Sequence, residues 1–140
     1  MGRILGVDFG LARIGIAITD ERKIMALPVG AFRTEKTPAL TVQMLMKELA
    51  SYGAIEKIVI GLPLLLNGKE GDMALAVKAF GSLLNQAFQV EVVYWDERLT
   101  SAQVDKLMMD SGFNRKKRAQ HSDAMAAHTI LENYLDSLRI

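Results

Sequence analysis

The sequence contains no cysteine, which excludes a disulfide framework, a thiolate nucleophile and any cysteine-held zinc or iron–sulfur centre. It carries almost no excess charge either: 17 Lys and Arg stand against 16 Asp and Glu, a formal net charge of +1. The total therefore neither demands nor forbids a polyanionic partner, and only the distribution of charge can point to one. No apolar run reaches the roughly 20 residues that span a bilayer, and the first residues show no separate basic and apolar signal regions. A cytoplasmic protein without membrane attachment is expected. With no internal repeat, low-complexity segment or linker, residues 1–140 are expected to form one domain, and the 50% apolar content suffices for a core without disulfides or structural metal.

What is present divides into two periodicities. "RILGVDF" (3–9) reads as a short, buried, β-branched strand closed by Gly10. "IGIAITD" (14–20) and "IMALPVGAF" (24–32) follow after short connections, and Pro28 marks the latter as an edge strand. Connections this short require an antiparallel meander. The period then becomes helical: Thr37 as N-cap, Pro38 at the first helical position and Gly53 as stop delimit a helix over 37–53. Strands over 57–63 and 90–95 alternate with helices over 71–88, 100–112 and 122–138. The expected fold class is α/β: a mixed five-stranded sheet, an antiparallel meander followed by two parallel βα units, with helices packed on it.

Three positions place carboxylates where ligands bind in such sheets. Asp8 sits near the carboxyl end of the first strand, within an apolar run, and ionised carboxylates are rarely buried without a cation or donors. Asp96 and Glu97 follow a buried strand, and alternation lets at most one of them face the site. Asp123 opens the expected last helix, where an acid also suits the helix dipole, and the small Ala126 and Ala127 after it permit a close approach to the sheet. Carboxylates converging in this way repel one another unless they hold a hard divalent cation, Mg²⁺ or Mn²⁺. Two such ions about 3.5–4 Å apart serve in-line phosphoryl displacement. The run Arg115, Lys116, Lys117 and Arg118, expected in the loop before the last helix, would hold a polynucleotide backbone. The loop 61–71 has glycines suited to close backbone approach, His128 reads as packed structure, and His121 has no assigned role.

Four segments together, "ILGVDFGLARIGIAITD", "IVIGLPLLLNG", "VVYWDERLTS" and "SDAMAAHTILENYLD", resemble the YqgF family, also called RuvX. These are RNase H-like bacterial proteins described as Holliday junction resolvases and, more recently, as pre-16S rRNA nucleases. The resemblance is collinear from residue 3 to about 136 and implies a metal-dependent nuclease. Its three acids are Asp8, Glu97 and Asp123, as catalytic residues and as ligands of Mg²⁺ or Mn²⁺, with two ions expected; Asp96 and Arg98 support them. Two departures stand out: Phe9 where family members usually have proline, and Leu65, Leu66 and Asn67 in the loop motif. The implied partner is nucleic acid, either precursor rRNA within a ribosomal precursor or branched DNA, handled by a monomer or a homodimer. Alternatives from other classes are a Holliday junction resolvase in DNA repair, a non-catalytic nucleic-acid-binding factor and an ATP-dependent kinase, the last disfavoured by the room for one domain only.

Overall fold

The computed structural model describes residues 2–96 and a helix over 115–138, with the side chains of that helix described from 124 onward. The meander forms as expected: β1 (Arg3–Phe9), β2 (Arg13–Thr19) and β3 (Ala26–Arg33) pair antiparallel in sequence. Pro28 lies in β3, an edge strand, where its missing amide interrupts no ladder to an outer neighbour. The second half adds α1 (Pro38–Glu48), a 3₁₀ turn (Ala50–Tyr52), β4 (Ile55–Leu62), α2 (Asp72–Phe88), β5 (Glu91–Asp96) and α3 (Arg115–Leu138). Both β4 and β5 join in parallel, giving one five-stranded sheet in the order β3-β2-β1-β4-β5. The helix expected over 100–112 lies outside the described residues.

Local chemistry explains the helix ends. The Thr37 hydroxyl accepts the Leu40 N–H at 3.2 Å, and Pro38 occupies the first turn, where a missing N–H costs nothing. The helix proper ends at Glu48, and a tighter turn continues to Gly53, whose φ of 83° suits glycine. Helix α2 stops at Gln89, which takes the left-handed conformation itself, at φ 56°.

Alternation along the strands sorts the core onto two faces. Leu5 and Val7, with Ile14, Ile16, Ile18, Ile58 and Ile60, pack against α1 and α2 through Val42, Leu45, Val77, Phe80 and Leu84. Ile4, Ala17, Ala26 and Val59 turn the other way, onto Ala127, Ile130, Leu131, Tyr134 and Leu135 of α3. Each fully buried Leu or Ile contributes about 1.5–3 kcal/mol, so both faces are well anchored. Covering helices on both sides is what lets β1, β2 and β4 read as nearly continuous apolar runs.

α3 is also tied at its flanks. Lys57 Nζ donates to the Tyr134 hydroxyl at 2.9 Å, and this hydrogen bond raises the Lys57 pKa above its usual value, with burial opposing it and Glu91 adding to it. Glu132 Oε1 accepts the Ala26 N–H at 2.8 Å, and the His128 ring lies 3.0 Å from the Ala26 carbonyl oxygen, a packed structural role as expected. Among the described residues no helix is long and apolar enough to cross a membrane.

One buried polar group closes the start of the sheet. Thr19 is fully buried, and its Oγ1 accepts the Ile4 N–H at 2.9 Å. Replacing it with the isosteric valine, Thr19→Val, leaves that amide without its acceptor and should lower the unfolding free energy by about 1–3 kcal/mol. Urea denaturation measures this, and an unchanged midpoint would contradict the role given to Thr19.

Candidate functional site

Asp8 is the next-to-last residue of β1, half-buried, and lies directly opposite Gly15 of β2. A glycine across the ladder leaves space over the strand beside the carboxylate. Strand alternation gives Asp8 the parity of Ile4 and Gly6, the residues that meet α3, while Leu5, Val7 and Phe9 point to the opposite helices. Asp8 therefore stands on the α3 face, at the carboxyl end of the parallel strands.

The position of α3 is set by a contact that the sequence only half disclosed. A Cβ placed on Gly6 would lie 2.9 Å from Leu131 Cβ and 3.0 Å from the Ala127 carbonyl oxygen. Helix and strand thus meet nearly backbone to backbone, as the small side chains of Ala126 and Ala127 foreshadow. The partner glycine was not singled out from sequence, although a glycine inside an apolar strand is a recognised mark of close backbone approach.

Farther along, the helix crosses the strands: His128 and Glu132 reach Ala26 of β3, Ala127 and Leu131 lie over Gly6 of β1, and Tyr134 reaches Lys57 of β4 and meets Trp95 of β5 edge-on, ring centroids 5.9 Å apart. Asp123 lies about one turn before Ala127 on this helix.

Two expectations are corrected here. Asp123 does not open the last helix, because α3 begins at Arg115, two turns earlier. The dipole rationale for an acid there falls away, since that effect fades within the first turn. By the same observation Arg115, Lys116, Lys117 and Arg118 form the first turn of α3 and are not a loop. Lys and Arg are good helix formers, and the helix runs back through them.

Of the other acids, Asp96 ends β5, exposed and paired in register with Leu62, and its parity is opposite to that of Trp95, which packs on the α3 side. Glu97 lies outside the described residues, as do His121 and Asp123 at the level of side chains. Among the described residues no group of three possible metal ligands is assembled.

Both sequence departures find local explanations. Phe9, in place of proline, packs on Phe80 of α2 with ring centroids 4.7 Å apart, which anchors the end of β1 in the first core. Asn67 serves its own turn: its Oδ1 accepts the Lys69 N–H at 2.9 Å, while Gly68, at φ 83°, donates its N–H to the Leu65 carbonyl. The loop is thereby a compact turn closed by the Leu64–Glu70 bridge.

The chain matches the family model RuvX, Holliday junction resolvase, over residues 2–137. A protein of Protochlamydia amoebophila named "Putative pre-16S rRNA nuclease" is 44% identical to it, the match covering 96% of this chain and 93% of that protein. One of the same name from Lactococcus lactis subsp. cremoris is 40% identical over 96% of this chain and 94% of its own. Among solved structures, the fold resembles Thermus thermophilus RuvC bound to a Holliday junction substrate, at a TM-score of 0.57 and 12% identity over 99% of this chain and 97% of that one. It also resembles the fowlpox virus resolvase complexed with Holliday junction DNA, at a TM-score of 0.60 and 13% identity over 99% of both chains. At such identities the likeness is one of fold, RNase H-like as expected.

The Gly6 contact is open to direct test. Gly6→Ala forces strand and helix apart and should cost about 1–3 kcal/mol of stability, the usual range for overpacking a tight core. A Gly6→Ala protein with the thermal midpoint of the parent would show that the interface has slack.

Proposed function

The chain belongs to the RuvX family, and from that premise we propose that it is a metal-dependent phosphodiester nuclease, a single RNase H-like domain that processes the 5′ end of pre-16S rRNA. The observation that carries this is the match to the RuvX family over residues 2–137, joined to the place of Asp8 at the carboxyl end of β1 on the face that α3 covers, with Asp123 on that helix about one turn before the contact with Gly6. Glu97, the residue after β5, supplies the third acid. A carboxylate deep inside α3 has no capping role to explain it.

The donor set fits a hard divalent ion. Asp8, Glu97 and Asp123 offer only carboxylate oxygens, which suit Mg²⁺ or Mn²⁺ and not soft metals, and two ions are the expected complement. When bound, such ions activate water and neutralise charge on a scissile phosphate. The chain's own contribution is positional. β1 fixes Asp8 by ladder bonds on both sides, and α3 fixes Asp123 through the buried stripe Ala127, Ile130, Leu131 and Tyr134. The first turn of α3, carrying Arg115, Lys116, Lys117 and Arg118, brings cationic residues to the same helix two turns from Asp123 and is suited to the polynucleotide backbone.

Asp8→Asn, which keeps size and removes charge, should remain folded and cleave a 5′-extended 16S precursor in Mn²⁺ at least about a hundredfold more slowly. Mn²⁺ should also raise the thermal midpoint of the parent more than that of the variant, since binding to the folded state stabilises it by mass action. A folded Asp8→Asn protein that cleaves as fast as its parent removes Asp8 from the mechanism.

A further inference from the structure

Beyond the acids and the basic turn of α3, the same end of the sheet carries a second cationic feature. Arg13 and Arg33 lie directly opposite each other across β2 and β3. With Ala12 and Thr34 they line a concavity of about 420 Å³. Among the described residues no carboxylate pairs with Arg33.

The strand ends are nevertheless held together there. The Thr34 N–H donates to the Ala12 carbonyl at 3.0 Å, and its hydroxyl donates to the Leu11 carbonyl at 2.9 Å. These bonds lock the end of β3 onto the turn between β1 and β2, so Arg13 and Arg33 stay side by side at the rim of the concavity.

Register relates this pair to Asp8. Gly15 is the ladder partner of Asp8, and Arg13 is the next residue of the same parity toward the open end of β2. Asp8, Arg13 and Arg33 therefore share the α3 face. The diagonal from Asp8 to Arg13 is roughly 7–8 Å, and Arg33 lies one strand farther, about 4.8 Å away across the sheet.

The geometry points to Arg13 and Arg33 as a clamp for a phosphate of the substrate strand next to the one being cut. It rests on the nuclease assignment above, which supplies the polynucleotide. Planar guanidinium forks match phosphate oxygens bidentately, and a site lined only by Ala12, Thr34 and the two arginines among the described residues has no aromatic platform for a base. The contact is to the backbone and independent of sequence.

The test is fluorescence anisotropy with a fluorescein-labelled single-stranded RNA in EDTA, across a KCl series, for the parent, Arg33→Gln and Arg33→Lys. Arg33→Gln should bind about tenfold more weakly at low salt and lower the slope of log affinity against log salt by about 0.7, one phosphate contact. Arg33→Lys should keep most of that slope. The thermal midpoint of Arg33→Gln should stay level, because Arg33 is exposed.

Equal affinity and slope in Arg33→Gln and the parent would overturn the clamp. So would a loss of affinity that Arg33→Lys shares and that tracks a lowered midpoint, which would mark Arg33 as structural. The nuclease assignment fails separately: a parent that binds RNA and shows the Arg33 dependence, yet never cleaves in Mn²⁺, leaves the clamp standing. Cleavage by Arg33→Gln with unchanged KM, in contrast, overturns the clamp and leaves the nuclease intact.

Discussion

The near-contact of backbones where Gly6 meets the Ala127–Leu131 turn fixes the depth and direction of α3 on the sheet. A side chain at residue 6 would lift the helix by the thickness of a methyl group or more, and every residue on its inner stripe would lose packing contacts as a result. Because α3 is held at its flanks by Lys57–Tyr134 and by Glu132 on the Ala26 amide, it cannot slide to compensate. The helix therefore has one depth and one direction on the sheet.

The sheet divides its labour between its faces. One face is purely structural: Leu5, Val7, Ile16 and Ile60 are sealed under α1 and α2, and Phe9 extends this core to the end of β1 by stacking on Phe80. On the other face, β1, β2 and β3 turn polar beyond Gly6 and Ala17, with Asp8, Arg13 and Arg33 in succession across three strands, while Trp95 of β5 continues the apolar packing on α3. The apolar end anchors the helix, and the polar end carries the charged residues. This arrangement follows the general tendency of ligands to bind at the carboxyl ends of strands in open α/β sheets.

Charge at that end is of both signs: Asp8 stands beside Arg13 and Arg33. Under the proposed function the acids would hold metal ions and the arginines a phosphate of the substrate. A phosphodiester held by two divalent ions and by guanidinium groups would satisfy both sets at once. The near-zero net charge of the chain conceals this local separation, which is why composition alone said nothing about a polyanionic partner.

The strand order of the meander, the edge position of Pro28, the Thr37 cap and the parallel βα units were all legible in the sequence, because turn chemistry and periodicity of 2 or 3.6 are local properties. The family resemblance, and with it the choice of Asp8, Glu97 and Asp123, was legible for the same reason: short motifs are contiguous. That α3 already includes residues 115–118 was not legible, since a basic run suits a helix or a loop equally. Nor was the pairing of Arg13 with Arg33, residues far apart in the chain that only the register of β2 on β3 sets side by side. Sequence by itself determined which elements form and which acids they carry; tertiary structure alone decided that Gly6 admits α3 to backbone contact and that Asp8 shares its face with two arginines, because distances across a sheet depend on packing between segments that no local pattern encodes.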